Sequence, residues 1–270
     1  MKRIITLLQI LFLCIFIACG AYFGKLYYDK LQTEKEMEHL AGMIEDTPVK
    51  SEDRDNAVQP EAEAAAAAAA AAEPDPREEN GMLSMYYKLY EQNNDMAGWI
   101  SINGTKINYP VLYSEGSNAY YLHRNFERQN SPSGMIFMDY QCDRGGTSTN
   151  TILYGHNMRN GTMFHSLLNY EKKSFWEEYR SIGFDTMYER GAYEIFSVFR
   201  TTVGSKKEFR YYDFINAQSE DDFNSFVARC KAEAIYDTGI TPVYGDRLLM
   251  LSTCSYNTGN ERFVVAAVRR

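Results

Sequence analysis

The chain opens on an apolar run: from Ile4 to Gly24, 21 consecutive residues carry no charge, with Lys2 and Arg3 before them and Lys25 after. A helix of that length, rising about 1.5 Å per residue, crosses a hydrocarbon core of about 30 Å. The run outlasts the roughly 7 to 15 apolar residues of a signal-peptide core, and no clear small-x-small cleavage site stands beside it, so the pattern predicts an uncleaved anchor. From residue 31 to 80 the apolar pattern lapses. Nine successive alanines, Ala64 to Ala72, follow Glu61-Ala62-Glu63 and end before Pro74 and Pro76, which reads as a short helical rod within an otherwise disordered tether.

After residue 80 the pattern becomes globular. Met85, Tyr86 and Leu89 mark a short amphipathic helix over 84–92. Seven short apolar or alternating runs then predict strands at 98–102, 106–113, 134–138, 150–154, 192–203, 247–253 and 262–268. Asn103-Gly104 reads as a hairpin turn with both residues suited to positive φ. Helical pieces are expected at 117–123, 162–168 and 172–179. The best helix, 219–234, opens on a capping-box-like Ser219-x-x-Asp222 and puts Phe223, Phe226, Val227 and Cys230 on one face, which makes Cys230 a core residue. These elements predict a mainly β domain, a barrel or sandwich decorated by helices.

Charge sharpens the division. The net −8 of the 270 residues splits into +3 over 1–30, −10 over 31–80 and −1 over 81–270. The expected organisation is therefore an N-terminal anchor with a cytoplasmic basic end (1–30), an acidic, Ala-rich stalk (31–80) holding a domain off the membrane, and a globular domain (81–270). The basic residues before the span and the acidic stretch after it put the bulk of the chain outside the cell. Two other readings of the first segment stay open: Phe16-Ile17-Ala18-Cys19-Gly20 is similar to a box in which the cysteine is lipidated after cleavage, and an apolar helix can also be buried in a cytosolic protein. No part of the chain builds the basic face that nucleic acid requires. The histidines at 39, 123, 156 and 165 form no ligand-spaced cluster, so no metal or cofactor is expected, and His123 and His165 read as ordinary surface or core residues.

The chemistry gathers at three places. The strand 247–253 runs into Cys254, with Met250, Ser252 and Cys254 on one face, and the following Ser255 to Asn260 reads as a loop that would leave the thiol accessible. With Cys142 and Cys230, Cys254 makes an odd count outside the apolar run, which leaves at least one thiol unpaired. In Tyr154-Gly155-His156-Asn157 a strand ends at a glycine that permits a sharp change of direction before an imidazole, the side chain suited to activating a thiol and protonating a leaving amine. Arg262 stands eight residues beyond Cys254, where an antiparallel hairpin would return it beside the thiol, with donors for an oxyanion or for substrate carbonyls. Tyr154 and Ser252 each lie two residues from one of these groups, on the same strand face.

Jointly these residues resemble the sortase family, the cysteine transpeptidases of Gram-positive cell surfaces. Leu251-Ser252-Thr253-Cys254 matches four of five places of a Thr-Leu-x-Thr-Cys signature, with Met250 where threonine is usual. Asp95-Met96-Ala97-Gly98-Trp99-Ile100, Tyr109-Pro110-Val111, Asn118-Ala119-Tyr120-Tyr121-Leu122 and the 219–234 helix are similar to its class B branch. The resemblance covers residues 81–270 and implies a sortase-like closed barrel of about seven to eight strands with a long helix inserted before the cysteine strand. It implies that Cys254 attacks a carbonyl in the C-terminal sorting motif of a secreted protein, and that an amine of a cell-wall precursor or a pilin resolves the thioacyl enzyme. His156 would move the proton and Arg262 would stabilise the oxyanion or hold the substrate. Family position puts Asn118, Leu122, Tyr154 and Ser252 along the peptide groove. A surface cysteine peptidase using water, and a non-catalytic membrane-tethered interaction domain, are the competing readings.

Overall fold

The structure, a computed structural model, describes residues 2–45, 75–204, 208–254 and 260–270. Its centre is a closed barrel of eight strands: β1 (Met96–Ser101), β2 (Asn108–Tyr113), β3 (Ile136–Met138), β4 (Asn150–Tyr154), β5 (Ser181–Thr186), β6 (Ala192–Thr202), β7 (Leu248–Cys254) and β8 (Glu261–Arg269). They are ordered β1-β2-β3-β4-β7-β8-β6-β5, with β5 closing on β1. Most pairs are antiparallel, but β2 with β3 and β4 with β7 run parallel. Closure removes the free sheet edges and gives β7 and β8 buried side chains on both faces. That explains why Leu248–Leu251 and Val264–Val268 are nearly continuous apolar runs.

Seven of the strands coincide with the runs in the sequence. The eighth, β5, does not announce itself, because Gly183 and Asp185 interrupt it. Yet Ile182, Phe184 and Thr186 alternate inward, and pairing to β1 and β6 overrides the weak local preference. At the β1–β2 hairpin only Gly104 takes a positive φ (72°), and Asn103 does not. The four-residue turn closes by Thr105 N–H donating to the Ile102 carbonyl at 3.3 Å, so a mirror-image turn with two left-handed residues is not formed.

The helix expected at 84–92 is α2 (Ser84–Gln92), which buries Met85, Tyr86 and Leu89. Of the three helical pieces, 172–179 becomes the α-helix α3 (Lys173–Glu178), while 117–123 and 162–168 tighten into 3₁₀ turns at Tyr121–His123 and Phe164–Glu171. The long helix is α4 (Glu220–Ala232), with Ser219 Oγ accepting from Asp222 N–H at 3.2 Å. Asp222 reaches back to Gln218 N–H (3.0 Å), one residue earlier than a capping box would place it. Phe223, Phe226, Val227 and Cys230 are buried beneath it, and burial pushes the Cys230 thiol pKa up.

The boundary expected at residue 81 is displaced. A single helix, α1, runs from Lys2 to Glu45. Its first half is exposed throughout the described side chains, with Phe12 at 74% and Phe16 at 71%. Its second half packs on the barrel: Thr33, Met37, Leu40 and Ile44, spaced by four, three and four, are buried. Gln92 Nε2 approaches Met43 Sδ at 3.6 Å, and Lys106 pairs with Glu34 at 2.6 Å. Residues 31–45 are thus part of the globular unit and not of a tether; their apolar stripe is masked in the sequence by Glu34, Glu36 and Glu38. From Asp75 the described chain is again held to the domain: Asp75 pairs with Arg190 at 2.9 Å, and Arg77 and Leu83 form a bridge. The predicted alanine rod, 64–72, lies outside the described residues.

Candidate active site

Two strand registers organise the site. In the parallel pair β4–β7, Tyr154 lies opposite Ser252. The pairing continues past the strand end, with Gly155 N–H donating to the Ser252 carbonyl (3.2 Å) and Thr253 Oγ1 to the Gly155 carbonyl (2.8 Å). In the antiparallel pair β7–β8, Cys254 lies opposite Arg262. His156, Cys254 and Arg262 therefore stand at one end of three adjacent strands, brought together from positions 156, 254 and 262. The loop after Cys254 falls at 255–259, outside the described residues, so its expected openness stays an expectation.

Gly155 acts differently from the way its sequence context suggests. Its φ is not positive; a Cβ there would lie 2.4 Å from Ile136 Cδ1 and 2.9 Å from the Phe164 ring. The missing side chain lets the backbone carrying His156 press against the core. The loop beyond is closed by Phe164 N–H donating to the His156 carbonyl (2.9 Å) and by an Asn157–Met163 bridge. It turns through Met163, a buried non-glycine residue at φ 54°.

His156 is half-buried, and its Nε2 lies 2.8 Å from the Leu122 carbonyl. A carbonyl only accepts, so Nε2 carries a proton and Nδ1 is the basic nitrogen of the neutral ring. The ring of His123 stacks on it, with centroids 5.5 Å apart and planes at 29°. Burial lowers the His156 pKa below the ordinary imidazole value; the Leu122 carbonyl opposes that shift and His123 adds to it. Arg262 is half-buried, its backbone between Cys254 on β7 and Thr201 on β6, and its Nη1 donates to the Glu261 carbonyl at 3.2 Å.

The four expected groove residues are differently placed. Leu122 is half-buried and contributes its carbonyl to His156. Asn118 and Tyr154 converge on one buried carboxylate: Asn118 Nδ2 and Tyr154 Oη each donate to Asp139 Oδ2 at 2.9 Å. Asn118 Oδ1 meanwhile accepts from Tyr140 N–H at 2.9 Å, and burial drives the Tyr154 phenol pKa up. Ser252 is only 1% exposed and shares a 2.6 Å hydrogen bond with Tyr211 Oη. It therefore lies beneath the surface, beside Tyr154, rather than on it. The sequence reading missed Asp139 and the pairing of His123 with His156. The signal for Asp139 was a lone acid directly after an apolar strand; for His123, 33 residues from its partner, there was none.

Among the described residues no group of three His, Cys, Asp or Glu side chains is arranged to hold a metal ion. Comparison with known proteins fits this geometry to a family: the sortase domain model matches residues 100–270. The chain belongs to the sortase family. Sortase B of Staphylococcus aureus is 32% identical over 269 residues, which cover 99% of this chain and 97% of that protein. The Staphylococcus aureus sortase B–substrate complex superposes with a TM-score of 0.72 at 27% identity, covering 90% of this chain and 98% of that one. Sortase B from Bacillus anthracis in complex with AAEK2 gives 0.71 at 28%, covering 88% and 96%. These relatives put this sortase in class B, and it is a cysteine transpeptidase for surface proteins.

Proposed function

We propose that this sortase uses Cys254, His156 and Arg262 to cleave the C-terminal sorting motif of secreted proteins after threonine and to pass the acyl group to an amine of the cell wall or of a pilin. The observation that carries the assignment is the pair of registers, Tyr154 opposite Ser252 and Cys254 opposite Arg262. In the first step the Cys254 sulfur, its proton transferred to His156, adds to the threonine carbonyl carbon, and Arg262 stabilises the oxyanion or holds the substrate carbonyls. As the C–N bond breaks, His156 gives a proton to the departing amine, leaving a thioacyl enzyme. In the second step an acceptor amine loses a proton to His156 and attacks the thioester, and Cys254 leaves as the thiolate, the proton on His156 restoring the starting Cys254–His156 pair. Tyr154, Asn118 and Leu122 line the peptide path, with Ser252 buried beside Tyr154 and bonded to Tyr211.

The enzyme works at the cell surface, held by the first half of α1. Support for a single-pass anchor comes from an apolar helix long enough to cross a bilayer, whose described side chains there find no cover in the protein. Lys2 and Arg3 then lie on the cytoplasmic side and the barrel outside.

The test is a panel of sorting-motif peptides incubated with the full-length enzyme in nanodiscs, with and without an amine, read by mass spectrometry. Cleavage after threonine with an amine adduct, absent in Cys254→Ala, is the expected result. Hydrolysis that no amine diverts would replace transfer by peptidase chemistry. Persistence of product in Cys254→Ala would remove the nucleophile assignment.

A further inference from the structure

Leu122, whose carbonyl accepts from His156, sits near the start of a loop, 121–135, that is closed on itself. Ser131 N–H donates to the His123 carbonyl (2.9 Å), Met135 N–H to the Tyr121 carbonyl (3.0 Å), and Arg124 and Asn130 form a bridge. Gly134, at φ 56°, lies so close to Leu122 that a Cβ would stand 2.4 Å from the Leu122 carbonyl oxygen. The position of that carbonyl is therefore set by both limbs of the loop.

The outgoing limb is tied to the barrel side by Tyr121 Oη donating to Asp95 (2.6 Å) and Asn93 Nδ2 donating to the Phe126 carbonyl (2.7 Å). The remaining ties come from α1. Thr33 Oγ1 and Ser133 Oγ share a buried 3.0 Å hydrogen bond, one residue before Gly134. Glu36 Oε1 accepts from Phe126 N–H at 3.3 Å. Phe126 is thus gripped on both its backbone groups, by the barrel on one and by α1 on the other.

We propose that α1 is a positioning element for the reaction: Thr33 and Glu36 hold the 121–135 loop so that Leu122 presents its carbonyl to His156 and fixes the orientation of the ring. The proposal rests on the reading of His156 as the proton-transfer group. It makes the helix that enters the bilayer a part of the catalytic unit, since a ring held through a two-limbed loop loses its aim when one limb is released. Proton transfer is sensitive to such aim, because a misplacement of about 1 Å costs on the order of a hundredfold in rate.

Glu36 offers a conservative control. Burial raises its carboxyl pKa against the lowering effect of the Phe126 N–H, and Glu127 adds to the rise. Glutamine keeps the accepting oxygen without a charge to desolvate. The experiment uses full-length enzyme in nanodiscs. It compares a Thr33→Val/Glu36→Ala double variant with a Thr33→Ser/Glu36→Gln one, by kcat, KM and the ¹⁵N signals of the His156 ring, assigned with His156→Gln. The disruptive pair is expected to lower kcat about tenfold with KM within twofold, and to replace the Nε2–H tautomer signal by an averaged one. The conservative pair restores both. Should the double variant not fold, Thr33→Val alone carries the test. An unchanged kcat overturns the proposal, and so does a fall in kcat with the His156 tautomer intact, which would make α1 a structural support only. Full turnover by His156→Gln would remove the reading beneath it and the proposal together; the ring signals would still report whether α1 orients the imidazole.

Discussion

His123 stacks on His156 with ring centroids 5.5 Å apart, and the second imidazole helps to keep the first one neutral. Burial is the larger cause of the lowered His156 pKa, with the Leu122 carbonyl acting against it. In a Cys254→Ala background, where no thiolate contributes, the NMR titration of His156 is expected to fall below the ordinary value near 6.5. His123→Phe, which keeps a stacked ring and removes the second base, should move that midpoint upward without reaching the ordinary value. A midpoint that does not move would mean that His123 exerts no electrostatic effect. The sign for stability follows. The unfolded chain takes up the His156 proton more readily than the folded one, so this group weakens the fold as pH falls below about 6.5 and has no effect well above it.

Cys254 and Arg262 face each other across β7 and β8, which ties the reach of the guanidinium to the strand register. Arg262→Ala is expected to cut kcat/KM by about 10²–10³, the usual cost of a lost oxyanion donor. Arg262→Lys should recover only part of it, because a point charge does not replace a planar fork. Cys254→Ala is expected to abolish turnover with an unaltered unfolding midpoint. Product analysis by mass spectrometry together with thermal unfolding separates these outcomes; a large loss of stability in Cys254→Ala would indicate a structural cysteine.

Asp139 collects Asn118 and Tyr154 on one oxygen, Oδ2, while its Oδ1 accepts from Gln141 N–H at 2.9 Å. The residue is 1% exposed, so its removal strands several donors. Asp139→Ala is expected to destabilise the fold by about 1–3 kcal/mol, with a rise in peptide KM as Tyr154 loses its fixed position. Asp139→Asn keeps an accepting oxygen and should be milder on both counts. A stable Asp139→Ala with unchanged KM would show that neither side chain depends on it.

Much of the fold and of the site was legible in the sequence, and the reasons lie in particular residues. The thiol, the imidazole and the guanidinium were visible because each ends or begins a strong apolar strand, and because Cys254 and Arg262 are close enough in sequence for a hairpin to join them. The helix at 219–234 was legible from one cap and four apolar residues on a face. Contacts across long separations were not. Ile182, Phe184 and Thr186 form a strand only because β1 and β6 flank them. The buried stripe Thr33, Met37, Leu40 and Ile44 was hidden among acids, two of which, Glu34 and Glu36, flank it and themselves bond to the domain. The joint hold of Asp139 on Asn118 and Tyr154, like the stack of His123 on His156, is a product of tertiary folding with no local pattern behind it.

The packing of Thr33 onto the barrel bears on the acidic, alanine-rich segment, which the sequence suggested as a spacer between membrane and enzyme. Between Gly24, the last residue of the apolar run, and Thr33, the first buried residue, eight residues of helix intervene, a rise of nine steps. With the first half of α1 as the proposed anchor, that rise sets the gap at about 14 Å. Residues 46–74 come after that contact in the chain and before Asp75, which pairs with Arg190, so on the proposed anchoring their length does not enter the distance from the bilayer. Deleting Glu61–Ala72 leaves 17 residues to join Glu45 to Asp75. Their reach of about 56 Å exceeds the width of a domain of this size. The shortened enzyme in nanodiscs is expected to match the full chain in kcat, in KM and in the energy-transfer distance from a dye at Lys106 to labelled lipid. Lengthening the helix instead, by seven residues inserted between Lys25 and Lys30, should increase that distance by about 10 Å. A distance that followed the 61–72 deletion and ignored the helix insertion would restore the spacer role to the alanine-rich segment.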